Sequence, residues 1–225
     1  YVASFMTKPY GDRSASGCHF HHALYRVSDG GNAFDDPNGP DGLSVVARQF
    51  IAGQLAHAVA LTALYAPTVN CAKRYKFYSF APTNATWGLE NRTVGIRIKG
   101  IRGRNTHVEN RIPCAASNPY LVLAGTVAAG LDGIRKGLEP PAPVAGIAYG
   151  MSGVTDLPAT LAEALNALEA DEVLRAALGE EFIKLFVAVK RYEIGKARAA
   201  IADFDTSGFR DTVDEWERDE LFEFL

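Results

Sequence analysis

The sequence predicts an α+β fold with a helical C-terminal region. Strand-like runs gather in the first half, Ala/Leu/Glu-rich helical segments fill the second, and two apolar helices bracket the central strands. Segregation of this kind separates α+β from alternating α/β architectures. With 225 residues the chain is long enough to bury one sizeable core.

Residues 2–10 and 16–26 read as two extended runs joined by the turn-rich Gly11-Asp12-Arg13-Ser14, and a loop of Gly, Asn, Asp and Pro follows over residues 29–42. Residues 43–66 form a helix of about six turns, apolar on nearly every side after Phe50 and stopped by Pro67. Residues 93–99 and 106–112 read as strands around the basic loop 100–104. A second helix opens at Asn118, a good N-cap, with Pro119 at the favoured first position, and ends near Gly137. Its small residues, among them Gly125, Ala129, Gly130 and Gly133, let another backbone approach closely. From residue 161 to about 204 the chain is helical with a break near Gly179, and a last amphipathic helix runs through Trp216 to Leu225.

A net charge of −3 gives no whole-chain reason to expect nucleic acid or an anionic membrane as partner. Cys18, Cys71 and Cys114 are widely spaced, which argues against a zinc knuckle or disulfide scaffold and suits a reducing cytoplasm. There is no long run of purely apolar residues, so a spanning helix is not expected. The chain opens inside an apolar, strand-like run, so residues upstream of Tyr1 are expected.

Period-two alternation puts His19 and His21 on one strand face, with Cys18, Phe20 and His22 on the other. Imidazoles in that pattern suit a divalent cation or a phosphate; the alternative is a pair of half-buried structural histidines. His107, Glu109 and Arg111 likewise share a face, as a metal- and anion-binding set or as a solvated charge ladder. Six arginines (Arg74, Arg92, Arg97, Arg102, Arg104 and Arg111) crowd the middle of the chain, where bidentate guanidiniums could capture carboxylates and phosphates. An RNA-binding patch is the competing reading, but no aromatic-plus-basic stacking motif accompanies them. Spaced glycines over residues 146–153 lack the Gly-Lys-Ser/Thr of a phosphate loop, His57 reads as a satisfied core histidine, and residues 211–223 read as a solvated helix face.

Five strings in order carry a resemblance: Lys8-Pro9, Ser16-Gly17-Cys18-His19-Phe20-His21, Pro67-Thr68-Val69-Asn70 with Lys73-Arg74, Trp87-Gly88-Leu89-Glu90-Asn91-Arg92, and Asn118-Pro119-Tyr120-Leu121. Together they resemble the glutamine synthetases over essentially the whole chain. The resemblance implies the C-terminal half of that family's catalytic domain, a curved antiparallel sheet packed with helices. The N-terminal β-grasp domain and first half of the catalytic domain would lie upstream. It implies Mg²⁺ or Mn²⁺, with ATP as co-substrate beside glutamate and an amine, and assembly into a ring-type homo-oligomer such as a dodecamer. By position, His19 and Glu109 resemble metal ligands, while His21, Arg92, Arg97 and Arg104 resemble ATP-binding residues. Arg92 also resembles the family's catalytic arginine, which stabilises the phosphoryl group in flight. Ser14, Ala15, Arg74 and Arg111 fall at substrate-binding positions.

Two departures stand out. The family's flap glutamate is replaced by Phe80 in Ser79-Phe80-Ala81-Pro82, and its Asn-Gly pair by Ser14-Ala15. A carboxylate attracts ammonium and takes up its proton, whereas an aromatic ring cannot. The implied activity is therefore that of the divergent γ-glutamyl-amine ligases, using an amine other than ammonium, with Phe80 as an amine-pocket residue. A true glutamine synthetase and a non-catalytic structural relative are the alternatives. A chain holding only one side of the site is expected to be inactive alone.

Overall fold

The computed structural model describes residues 3–100 and 103–223. Val2, Arg102 and Leu225, which figure in the expectations above, lie outside the described residues. Among the described residues, one four-stranded sheet contains β1 (Phe20–His22), β2 (Trp87–Leu89), β3 (Ile96–Lys99) and β4 (His107–Asn110), in the order β1-β4-β3-β2. The β1/β4 and β3/β4 pairs are antiparallel as expected, but β2 adds to β3 in parallel, so the sheet is mixed. Strands of three or four residues leave little distance to return, and the loop over residues 90–95 suffices, turning at Glu90 with φ of 49°.

The strands are two-faced. Ile96, Ile98 and Val108 are buried with Phe34, Phe50 and Trp87 in one apolar layer beneath helix α1 (Val45–Ala56). Arg97 and Glu109 alternate with them and turn to the opposite face. The expected strands at residues 2–10 and 16–26 shrink to β1 and isolated bridges. Side chains and loops take their backbone groups instead: Lys8 N donates to Asn70 Oδ1 (2.7 Å), and Ser16 N to the Thr7 carbonyl (2.8 Å).

The single helix expected over residues 43–66 is broken at His57 into α1 and α2 (Ala58–Tyr65). The His57 side chain explains the break. Nε2 lies 3.1 Å from Asp132 Oδ2 and Nδ1 lies 2.5 Å from Asp171 Oδ2, so the ring is held between two other helices. It is the satisfied core histidine the sequence suggested. Helix α3 (Pro119–Lys136) matches its expected limits: Asn118 Oδ1 accepts from Tyr120 N and Leu121 N, and Gly137 closes it at φ of 63°. Gly133 meets Gly53 of α1 backbone to backbone. A Cβ on Gly53 would lie 2.1 Å from the Ala129 carbonyl, and one on Gly133 2.1 Å from that of Gln49.

The helical tail divides into α4 (Leu161–Ala170), α5 (Glu172–Leu178) and α6 (Glu180–Ala200). The break at Gly179 was expected; the one at Asp171 was not. Asp171 caps α5 through Leu174 N while its other oxygen holds His57. Leu61, Leu64, Leu165, Leu168, Ile183 and Val187 form the second apolar layer.

The acidic end corrects the sequence reading most sharply. Helix α7 (Glu215–Leu221) carries Glu217, which is 0% exposed rather than solvated. One carboxylate oxygen takes the Lys73 ammonium at 2.5 Å, and the other accepts from Asn70 Nδ2 at 3.0 Å. Lys73, itself buried, also donates to the Thr212 carbonyl and sits 3.5 Å over the Phe209 ring.

Two outcomes follow. Glu217→Ala strands the Lys73 charge and should cost roughly 3–5 kcal/mol in urea unfolding, while Glu220→Ala at the exposed pair with Lys196 should cost about 1 kcal/mol or less. The hydrogen bond that Asp171 accepts from His57, joined by that to Asp132, raises the His57 pKa above its ordinary value despite burial. The stabilisation it brings is complete below pH of about 6.5 and is lost as pH rises through the native pKa. The stability gap between the wild type and His57→Gln should therefore narrow from pH 6 to pH 9.

Candidate active site

Strand register builds the site. In the β1-β4-β3 row, His21 stands opposite Glu109 and Glu109 opposite Arg97, so all three share the sheet face turned away from α1. Glu109 is buried and lies at the centre. Arg111 Nη1 donates to Oε1 (2.7 Å), Arg97 Nη1 donates to Oε2 (3.2 Å), and His19 Nδ1 lies 3.0 Å from Oε1. Burial alone would raise its pKa. Arg111, then His19 and Arg97, outweigh burial and hold the carboxyl below its ordinary value. Burial, reinforced by Arg111 and opposed by Glu109, pushes His19 down to about 4, which leaves a neutral imidazole at pH 7.

His21 Nδ1 lies 3.0 Å from His107 Nε2, while His107 Nδ1 lies 2.6 Å from the Asn105 carbonyl. A carbonyl only accepts, so His107 donates there and His21 Nδ1 donates to His107. The lone pair left on His21 Nε2 is 3.9 Å from Glu109 Oε1.

This seam separates two openings. On one side is a cavity of about 450 Å³ lined by Ser14, Ala15, His19, Arg74, Phe80 and Arg111, with Lys8 and Lys76 added at its wall. On the other, His21, His107 and Arg104 line a shallower groove of about 520 Å³. Arg74 is pinned by donating to the carbonyls of Ile112 and Arg111, both at 2.9 Å, and packs against Gly17, where a Cβ would fall 2.4 Å from Nη2. Arg111 Nη2 donates to the Phe80 carbonyl (2.9 Å), tying the loop to the same guanidinium that holds Glu109.

Arg92 stands apart. It is exposed on the β2–β3 loop and makes no ion pair or side-chain hydrogen bond among the described residues. Two contributors, Glu90 and Lys8, were given no role in the sequence, and the contact made by a third, His107, was not foreseen. Glu90 takes Arg97 Nη2 at 2.5 Å, Lys8 enters the cavity with its pKa lowered by burial and by Lys76, and His107 orients His21. Glu90 and Lys8 both sit in the quoted strings, and His107 shares a face with Glu109; only register shows what they touch.

The donor set fits a divalent cation in part. Two cis ligands of an octahedral ion at about 2.1 Å lie roughly 3 Å apart, the spacing of His19 Nδ1 and Glu109 Oε1. No set of three His, Cys, Asp or Glu side chains arranged for a metal occurs among the described residues, so further positions would go to water, phosphate or other protein ligands. Nε of Arg97 and Nε of Arg111 are buried without an acceptor, so both guanidiniums retain unmet demand for anionic oxygen.

A mixed sheet thus presents a carboxylate–imidazole pair between two guanidinium-lined openings. Residues 1–208 match the family described as "Glutamine synthetase, catalytic domain". The chain belongs to the glutamine synthetase family. It is 40% identical over 215 residues to the glutamine synthetase of Methanocaldococcus jannaschii, covering 92% of this chain and 47% of that one. It is also 40% identical over 202 residues to the gamma-glutamylethanolamide synthetase GlnA4 of Streptomyces coelicolor, covering 90% and 42%. Among solved structures, the GmaS/ADP complex superposes with a TM-score of 0.80 at 34% identity, covering 96% of this chain and 48% of that one. The chain thus spans about half the length of the curated relatives it matches.

Gly17→Ala should force Arg74 out of place. The affinity of the Arg74-lined cavity for a small dicarboxylate probe is expected to fall about tenfold or more, the worth of one charge-assisted hydrogen bond. Isothermal titration measures it.

Proposed function

We propose that this chain is the C-terminal half of the catalytic domain of an ATP-dependent ligase. The enzyme would join the γ-carboxylate of glutamate to an amine other than ammonium. The observation that carries this reading is the convergence of His19, Glu109, Arg97 and Arg111 on one seam between a carboxylate-sized cavity and an open groove.

In this reading Arg74 and Arg111 hold the glutamate carboxylates, and Ser14 and Ala15 line the far wall. His21 and Arg104 flank the nucleotide in the groove, with Arg97 between the two openings. A divalent cation at His19 and Glu109 would neutralise phosphate charge and polarise the γ-phosphoryl group. The γ-carboxylate oxygen attacks that phosphorus and ADP leaves, giving γ-glutamyl phosphate. Arg92 stabilises the charge on the transferring group from the β2–β3 loop. The amine nitrogen then attacks the acyl carbon and phosphate departs, carrying the nitrogen's proton. Phe80 sits where the resemblance expects a glutamate, and residues 76–82 contain no carboxylate to attract ammonium.

The remaining metal ligands and the β-grasp domain would come from upstream. The whole enzyme would be a ring-type homo-oligomer in the cytoplasm, and this half alone would not turn over. A glutamine synthetase proper is the second reading, favoured by 40% identity to that enzyme from M. jannaschii.

The test is phosphate release by the full-length protein with ATP, Mg²⁺, glutamate and a panel of amines. Release with organic amines but little with ammonium is expected; preference for ammonium favours the second reading, and silence with every amine defeats both. In the same protein, Arg92→Ala should lower kcat by roughly 10³-fold, as for other arginines that act on a phosphoryl transition state. ATP affinity should change less than tenfold, and equal losses in both would remove Arg92 from that role.

A further inference from the structure

The loop bearing Phe80 is built unlike the rest of the cavity. Tyr78 and Phe80 adopt φ of 59° and 57°, a left-handed backbone that bulky side chains rarely occupy. Strain of this kind persists only where surrounding contacts impose it. Here they do: Arg111 Nη2 holds the Phe80 carbonyl, and Ser79 Oγ donates to the Lys76 carbonyl at 2.6 Å. The result is aromatic surface displayed at the cavity mouth, with Tyr78 77% and Phe80 62% exposed. Tyr78 is braced from behind. Its ring meets Tyr149 edge-on at 5.6 Å, and Tyr149 stacks on Phe77 at the same spacing. Both contacts lie within the range of favourable aromatic pairs.

The charge around this platform is one-sided. Lys8, Arg13, Lys73, Arg74, Lys76 and Arg111 line the same cavity, and among the described lining residues Asp12 is the sole carboxylate. A second ammonium group on a substrate would meet six cations there, with Lys73 already paired to Glu217 and Lys76 to Asp211, and a single lining carboxylate. A neutral apolar tail would meet aromatic faces.

We infer that Tyr78 and Phe80, braced by Phe77 and Tyr149, form the acceptor subsite for the organic substituent of the amine. The substrate class is monoamines with an apolar or aromatic tail, rather than polyamines or the smallest alkylamines. This inference rests on the ligase reading above. The tail lies against the two exposed rings while the amino nitrogen points inward toward the carboxylate held by Arg74 and Arg111. Each methylene that leaves water against such a surface adds binding, by an amount worth roughly ten- to 200-fold in discrimination at a well-formed pocket.

The experiment compares kcat/KM of the full-length enzyme for 2-phenylethylamine, methylamine and putrescine, in the wild type, Tyr78→Ala, Phe80→Ala and Tyr78→Phe. The wild type is expected to prefer 2-phenylethylamine over each of the others by at least tenfold. Tyr78→Ala and Phe80→Ala should lower the phenylethylamine-to-methylamine ratio at least tenfold, and Tyr78→Phe should retain it. A flat panel, a preference for putrescine, or a ratio untouched by both alanine variants overturns the subsite while leaving an amine ligase standing. No phosphate release with any amine overturns the ligase reading and the subsite with it.

Discussion

The buried carboxylate of Glu109 is the charge on which the site depends. Two guanidiniums, Arg97 and Arg111, are buried beside it, and without it their charges would face each other in a poorly hydrated pocket. Removing one member of such a group leaves charge without compensation, at a cost of several kcal/mol. Glu109 therefore does two things. It makes an arginine-rich cavity foldable, and with Glu90 taking the other Nη of Arg97 it balances the two arginines within the cluster. The same oxygen that takes Arg111 faces His19, so the positions of the imidazole and the guanidinium are mechanically linked.

The sheet supplies the geometry. Its alternation sends Ile96, Ile98 and Val108 into the core and Arg97 and Glu109 to the opposite face, so apolar packing on one side fixes polar positions on the other. A slip of one residue in register would bury the charges and expose the isoleucines. Behind the sheet, the glycine-mediated contact of α1 with α3 brings two backbones together without intervening side chains, giving the strands a stiff support.

Much of this was legible in the chain. Asn118, Pro119 and Gly137 mark the ends of α3 because capping is local chemistry, and the shared faces of His19/His21 and of His107/Glu109/Arg111 follow from strand alternation alone. What escaped depends on partners far along the chain. The break at His57 is caused by Asp132 and Asp171, the burial of Glu217 by Lys73, and the role of Glu90 by its reach to Arg97. No local propensity signals these, since an acidic helix reads as solvated until something cationic is folded beneath it. The parallel addition of β2 was likewise invisible, because turn chemistry does not announce so short a return. For Arg92, the motif identified the residue but could not foresee its exposed position on the β2–β3 loop.

The Lys73–Glu217 contact has a bearing on the order in which the molecule can mature. Lys73 adjoins Arg74 in sequence, and Asn70, one turn earlier, clamps both backbone groups of Lys8 at the cavity wall while donating to the same glutamate. During synthesis the ribosome delivers the arginine, the lysine and the asparagine long before it delivers residue 217. Until then Lys73 has no counter-charge, and an unpaired ammonium favours water over burial. The cavity walled by Lys8 and Arg74 is thus finished from the far end of this sequence, and a nascent or clipped chain would carry these lining residues yet lack the clasp that sets them.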